Sequence, residues 1–468
     1  MSEVAGGVEV VLVPRLRVLE VSQESLASVL EQRSSLTGLT CLLLSCNVKQ
    51  SVALEPQLLN FIASLHSLTA VKLSSHCSDQ LCALLSLSCP SLRIFDAEAD
   101  PDMSITDHGL SFLSNCRELK SVILNDEGTE HDAEERYRKL SGRGVAQMMA
   151  ALRGLSLLVC DPHLMKEAIA FLHGLSISRT FSLTQLHLRF ANRETLFRVS
   201  SLLPGLSSLH LVEASHDVGL PLIQMNKLRS LQLTSFAWLT LDDTYFSTTF
   251  ESLTSLTLRY PQKCVEPIHV TNLGMWCQCL QSLSLYFYER DSFIIPAIHS
   301  DKESFFPALK TLVFEGDISI NLLASFLMSL RDLRQLSIFV TSFSISAGEM
   351  DSLLLQVVKA GRLAELQVLQ CYQWEVALET ILYLIDQTPS LTAIWGINLL
   401  NLSDQSKEAV RTHIRKNNFN ISLNDGIAPE QSRGLDWIGE RINQREVRLN
   451  NFTRQTHLEE ILIELNLL

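Results

Sequence analysis

Read along its length, the chain repeats one arrangement of apolar positions: a leucine, two variable residues, an aliphatic, one variable residue and a further, usually aliphatic, residue. The triplets are Leu16-Leu19-Val21, Leu39-Leu42-Leu44, Leu68-Val71-Leu73, Leu92-Phe95-Ala97, Leu119-Val122-Leu124, Leu155-Leu158-Cys160, Leu183-Leu186-Leu188 and Leu206-Leu209-Leu211. They continue as Leu228-Leu231-Leu233, Leu253-Leu256-Leu258, Leu280-Leu283-Leu285, Leu309-Leu312-Phe314, Leu333-Leu336-Ile338, Leu363-Leu366-Val368 and Leu391-Ile394-Gly396. From Leu16 to Leu391, 14 intervals cover 375 residues, a mean of about 27, which is the period of a repeat architecture and not of separate compact domains.

Two periodicities alternate within each interval. The aliphatic-x-aliphatic ending has period two and predicts a short strand with one face inward. Between strands, segments such as Ala168-Ile169-Phe171-Leu172 and Leu322-Leu323-Phe326-Leu327-Leu330 show the i, i+3, i+4 spacing of a helix. Neither element buries its apolar side alone, so strands should stack into a parallel sheet and helices into an outer layer. At about 1.5–3 kcal/mol per fully buried aliphatic side chain, four or five leucines per repeat supply on the order of 10 kcal/mol before conformational entropy is subtracted.

Composition agrees with that reading. Leucine makes up 85 of the 468 residues, against 20 Phe, 7 Tyr and 5 Trp, so the 46% apolar content is concentrated in the one residue type the repeat uses. The formal charge of −13 disfavours nucleic acid or an anionic membrane surface as the main partner. Residues Met1 to Val21 lack a basic segment followed by a long apolar run, and apolar stretches such as Leu152 to Cys160 fall well short of the roughly 18 residues that a spanning helix needs. The 11 cysteines lie singly in apolar surroundings without a CxxC pair, so they are expected to be reduced, buried small hydrophobes of a cytosolic or nuclear protein. No phosphate-binding, zinc-protease or serine-hydrolase motif occurs, and neither catalysis, a cofactor nor a metal is expected.

One segment narrows the class. Ile105-Thr106-Asp107-His108-Gly109-Leu110, followed by Cys116 and Leu119, resembles the cysteine-containing leucine-rich repeat, with echoes at Leu87-Ser88-Cys89-Pro90-Ser91-Leu92 and Trp276-Cys277-Gln278-Cys279-Leu280. The resemblance covers roughly residues 14 to 400. It implies an α/β leucine-rich-repeat solenoid, a horseshoe with the parallel sheet concave and the helices convex, similar to ribonuclease-inhibitor-like proteins. Because that subtype is typical of F-box/LRR proteins, it further implies the substrate-recognition subunit of a ubiquitin ligase with a ligase adaptor as partner, although no recognisable F-box accompanies the repeats.

Two stretches break the regular pattern. Residues 126–139 form a polar, acidic insertion directly after a strand and are expected to be an exposed loop. Residues 401–468 carry 19 charged residues in 68, marking the end of the array. There Thr456-x-x-Glu459 resembles a capping box that opens a terminal helix over about 456–466, with Leu458, Ile461, Leu462 and Leu465 on one face. This tail is expected to cap the last repeat; the F-box/LRR resemblance implies, as the alternative, a tail that folds back over the concave face.

Strand side chains alternate, so the residue between the two inward aliphatics of each triplet should face the concave surface. That column runs Glu20, Leu43, Lys72, Asp96, Ile123, Val159, His187, His210, Gln232, Thr257, Ser284, Val313, Ser337, Gln367 and Trp395, with Glu98, Asn125, Asp161, Arg189, Arg259, Tyr286, Phe339 and Leu369 in the flanking columns. Asp96 and Glu98 make the early part acidic. His187, Arg189 and His210 suit an acidic segment, held more tightly as the pH falls towards 6, and Arg259 is a further candidate contact in the same middle zone. Tyr286, Phe339 and Trp395 are the expected aromatic anchors of a protein partner. The expected role is therefore a protein-interaction scaffold, with an enzyme regulator (an inhibitor or GTPase activator) or a structural adaptor as the alternatives.

Overall fold

A computed structural model describes residues 18–22, 36, 38–45, 55–73, 77–97, 103–124, 140–175, 180–215, 219–234, 250–259, 268–269, 273–274, 276–287, 293–294, 306–316, 320–340, 347–372, 376–395 and 403–424. The chain divides into two compact units, Met1–Leu188 with Phe197–Leu206 and Thr453–Leu468, and Arg189–Leu196 with Ser207–Phe452. The expected insertion at 126–139, Glu98, and the terminal helix at 456–466 lie outside the described residues.

In the first unit, strands β1 (Val18–Ser22), β2 (Cys41–Ser45), β3 (Ala70–Leu73), β4 (Ile94–Ala97), β5 (Ser121–Leu124), β6 (Leu157–Val159) and β7 (Gln185–Arg189) are laid side by side in chain order, all parallel. Between them run α1 (Glu55–Ala63), α2 (Asp79–Ser88), α3 (Asp107–Leu113), α4 (Gly142–Ala151) and α5 (Pro162–Gly174). Helix α6 (Arg193–Leu202) holds residues of both units.

The second unit carries β8 (Ser208–Val212), β9 (Ser230–Thr234), β10 (Ser255–Arg259), β12 (Ser282–Phe287), β14 (Thr311–Gly316), β15 (Gln335–Val340), β16 (Val368–Tyr372), β17 (Ala393–Trp395) and β18 (Ser422–Asn424), again parallel and in order. Its helices are α7 (Gly219–Gln224), α8 (Ile320–Ser329), α9 (Ala347–Lys359), α10 (Leu378–Gln387) and α11 (Asp404–Lys416), and two short strands, β11 (Ile268–His269) and β13 (Phe293–Ile294), pair separately. This is the leucine-rich-repeat fold.

The repeats stack without offset. The carbonyl just before each strand accepts two N–H bonds from the next repeat: Thr69 and Ala70 donate to Thr40, Arg93 and Ile94 to Thr69, and Lys120 and Ser121 to Arg93. The second unit repeats the device, with Arg229 and Ser230 donating to Ser207, Thr254 and Ser255 to Arg229, and Gln281 and Ser282 to Thr254.

Three residues before the strand-leading leucine a turn closes, and that leucine's N–H donates back, as in Leu92 to Cys89, Leu119 to Cys116, Leu253 to Phe250, Leu280 to Cys277 and Leu366 to Leu363. The turn residue is buried in every repeat where this bond forms. Cys89, Cys116 and Cys277 therefore occupy a packing position. Burial pushes the Cys89 and Cys277 thiols up to about 12 and the Cys116 thiol to about 11, keeping them neutral. Cys279 departs from the expectation of buried thiols and is exposed.

The same turn corrects one register. Leu363-Leu366-Val368 is not a strand triplet, because Leu363 fills the turn position and Leu366-Leu369-Cys371 follows it, with Leu369 beside Leu336 and Cys371 beside Ile338. A leucine in the turn reproduces the Leu-x-x-Leu spacing of a strand three residues early. Leu369 therefore packs inward and is fully buried, and Gln370 takes the place expected of Gln367. The array also continues beyond residue 400. Ser403 caps α11 by accepting from the Ser406 N–H, Val410 and Ile414 are buried, and β18 pairs with β17.

The helix starts form a second ladder. The Asp79 carboxylate accepts from the Thr106 N–H (2.7 Å) and hydroxyl (2.6 Å), and the Asp107 carboxylate accepts from the Ser141 N–H (2.8 Å) and hydroxyl (2.6 Å). Thr106 and Ser141 are themselves the caps of α3 and α4. Gly109 and Gly144 lie directly on these carboxylates, where a Cβ would collide with Asp79 and Asp107. The Thr-Asp-x-Gly motif is thus one repeat's cap, the next repeat's anchor, and the room for the preceding anchor. Gly109→Ala should lower unfolding stability by about 1–3 kcal/mol. Gly154→Ala, where nothing lies within 4 Å of an added Cβ, should stay within about 0.5 kcal/mol. Urea unfolding of the two variants measures the difference.

Candidate functional site

The in-register stacking turns each strand position into a column on the sheet face opposite the helices. The middle column in the first unit reads Leu43, Lys72, Asp96, Ile123 and Val159, and in the second His210, Gln232, Thr257, Ser284, Val313, Ser337, Gln370 and Trp395. On β8 to β12 this face is hydroxyl-rich. Ser208, Ser230, Ser255 and Ser282 lie side by side, with Thr257 and Ser284 adjacent in the next column, all half-exposed.

The chemistry gathers in the third column, where Thr234, Arg259, Tyr286, Glu315 and Phe339 are register neighbours. The Arg259 guanidinium carbon stands 4.0 Å from the Tyr286 ring centroid, a cation–π stack. Arg259 is only 9% exposed, and its Nε is buried with no hydrogen-bond acceptor. Tyr286 keeps part of its surface exposed, yet burial raises the pKa of its hydroxyl; the Arg259 charge opposes that shift, the Glu315 charge adds to it, and a hydrogen bond with Ser284 opposes it. Nearby, His210 Nε2 and Thr234 Oγ1 are 3.0 Å apart, a hydrogen bond between β8 and β9. The stack holds the cation in one orientation at low entropic cost, which is how a guanidinium is prepared for a carboxylate.

The expected site residues divide accordingly. Arg259, Tyr286 and His210 share the face of the second unit, where Trp395 is half-exposed beside Gln370. Arg189 ends β7, and its side chain lies outside the described residues. His187, half-buried, belongs to the first unit, whereas Arg189 and His210 belong to the second, so the three are not a patch of either unit. Phe339, expected as an exposed anchor, is buried. Asp96, expected to give the face its acidic character, is also buried and held by Lys72 at 3.2 Å, so its charge is already matched. Glu315, Ser284 and Thr234 were not anticipated as site residues. Their column positions were legible, but the burial that makes Glu315 electrostatically effective was not. Gln370 is likewise buried, with no hydrogen-bond partner for either amide atom. Among the described residues no group of three or more His, Cys, Asp or Glu could hold a metal, and no helix is long and apolar enough to cross a membrane.

No protein-family profile and no curated protein matches the chain. Solved structures do. An internalin of Listeria monocytogenes is 16% identical with a TM-score of 0.31 over 88% of this chain and 87% of its own. A leucine-rich-repeat protein of Leptospira interrogans is 15% identical with a TM-score of 0.39 over 86% of this chain and 100% of its own. The TLR13–ssRNA13 complex gives 16% identity and a TM-score of 0.42 over 81% of this chain and 56% of the matched chain. The assignment of fold rests on the chain's own repeat geometry and not on these scores.

If the stack holds Arg259, Tyr286→Phe should be near neutral in stability, whereas Tyr286→Leu should cost about 0.5–2 kcal/mol more than Tyr286→Phe, because only the latter keeps the ring. Paired denaturation curves on the two variants measure this.

Proposed function

We propose that the chain is a protein-interaction scaffold whose second unit binds an acidic protein segment on the sheet face of β8 to β12. The observation that carries the reading is Arg259, held over the Tyr286 ring with its Nε buried and without an acceptor. A cation largely removed from water and fixed by an aromatic ring gains most from an incoming carboxylate, and Arg and Tyr are the residue types that dominate interface energetics. The neighbouring hydroxyls of Ser230, Ser255, Thr257 and Ser284 can each donate to or accept from a partner's main chain. The buried free thiols of Cys41, Cys77, Cys82, Cys89, Cys116, Cys160 and Cys277 support a reducing compartment, the cytoplasm or nucleus.

A narrower reading, the substrate-recognition subunit of a ubiquitin ligase, draws only on the likeness of Thr106-Asp107-His108-Gly109 and Cys116 to the cysteine-containing repeat, which serves packing here.

Affinity capture from cells with the wild-type chain, Arg259→Ala and a His163→Ala control tests the reading. A partner recovered by the wild type and the control should be reduced roughly 10-fold or more by Arg259→Ala. Equal recovery by all three removes this face as the binding surface. Co-recovery of a cullin or its adaptor would favour the ligase reading, and recovery of a GTPase or nuclease without either would favour an enzyme regulator.

A further inference from the structure

A bulky residue with a left-handed backbone is uncommon, because only the surrounding structure can hold it there against its own side chain. Among the described residues the non-glycine positions of this kind are Phe190 (φ 52°), Glu213 (φ 54°) and Asn418 (φ 55°). Asn418 follows the end of α11, an ordinary place for an asparagine in this conformation. Phe190 and Glu213 belong to the second unit and hold the same place in successive repeats, directly after β7 and β8. Phe190 donates its N–H to the Val212 carbonyl and Glu213 donates its own to the Thr234 carbonyl, both at 2.9 Å. A turn that holds glutamate in one repeat and phenylalanine in the other has no need of an aromatic ring for its own geometry. Yet Phe190 is also 55% exposed, so its ring adds strain to the chain and recovers little of it by burial.

The ring is presented on a short, well-tied path. Ala191, the next residue, accepts from the Ser215 N–H (3.1 Å) and the Ser215 hydroxyl (3.2 Å). Asn192 then opens α6 by accepting from the Thr195 N–H at 2.9 Å. Strand end, left-handed residue and helix cap thus follow one another from Arg189 to Asn192. An aromatic side chain fixed in this way loses little freedom when a partner covers it.

We propose that Phe190 is a second anchor for the acidic segment bound by the second unit, and that this segment is extended, with an apolar side chain four residues from its carboxylate. The inference rests on the reading of Arg259 given above and adds the spacing. Phe190 bonds to Val212, and Val212, Thr234 and Arg259 are register neighbours, so three strand spacings of about 4.8 Å, about 14 Å in all, separate the two anchors. An extended chain advances about 3.3–3.6 Å per residue, so four residues span that distance. Side chains four apart also leave an extended segment on the same side, whereas a separation of three or five turns one of them away. The carboxylate meets the guanidinium that the Tyr286 ring orients, and the apolar side chain covers the Phe190 ring.

Fluorescein-labelled peptides of about twelve residues on a Gly/Ser background, each with one Glu and one Leu set two to six residues apart in either order, test the spacing by anisotropy titration with the full-length protein. Binding should be tightest at a separation of four, and replacing the peptide's Leu by Ser should weaken it roughly 5-fold or more. Phe190→Gly keeps the left-handed backbone, so its urea midpoint should match or exceed that of the wild type. The same variant should bind the four-spaced peptide roughly 5-fold or more weakly and no longer distinguish Leu from Ser, while still preferring Glu to Gln. Wild-type affinity in Phe190→Gly, a lowered urea midpoint that gives the ring to the fold, or equal binding at every separation would each overturn the inference and leave the Arg259 reading standing. Arg259→Ala should abolish the preference for Glu, and a preference kept in that variant overturns the underlying reading itself. Binding of none of the peptides removes an extended segment as the occupant and this inference with it, while capture from cells by Arg259→Ala still decides the face.

Discussion

Everything in this molecule depends on one hydrogen-bonded constraint, the carbonyl that precedes each strand and accepts two N–H groups from the following repeat. Because it recurs at the same place in most of the described repeats, neighbouring strands meet with no offset, and each repeat position becomes a column. The turn column is filled with Leu, Cys, Met, Phe or Thr, all buried. The helix-cap column links Asp79 to Thr106 and Asp107 to Ser141. The open-face columns collect whatever the sequence places between the inward leucines. Leucine abundance is the consequence of filling two inward columns again and again, and the apolar content is structural for that reason.

Function then enters through the columns that packing leaves free. In the second unit these are rich in hydroxyls, and the constraint sets Arg259 beside Tyr286 and Tyr286 beside Glu315. Their register makes a stacked cation next to a buried carboxylate. In the first unit the same columns hold Ile94, Ile123, Leu157 and Val159 and are buried. On β14 to β16 of the second unit the same columns, with Val313, Ser337, Phe339 and Gln370, are buried as well, so the half-exposed hydroxyl face is that of β8, β9, β10 and β12.

Much of this was legible beforehand. The middle column is the one expected from the triplets at every described repeat except that of Gln370, where Leu363 in the turn imitated a strand leucine. What the sequence could not show was depth. Asp96, Arg259 and Phe339 occupy outward positions by periodicity but are buried, because burial depends on what lies over a face and not on the alternation along a strand. The cap ladder was half-visible. Thr106-Asp107-His108-Gly109 was recognisable as a motif, but that Gly109 makes room for the Asp79 of the preceding repeat is a contact between residues 30 apart and leaves no local signature.

The most direct test of the account is the register itself, since the columns follow from it. With cysteines introduced pairwise, Ser337→Cys with Gln370→Cys brings together neighbours on adjacent parallel strands, at a spacing of about 4.8 Å that a disulfide can bridge. Ser337→Cys with Gln367→Cys does not. Oxidation followed by mass spectrometry should show the bond in the first pair and none in the second. A bond in the second pair and none in the first would contradict the stacking on which every column depends.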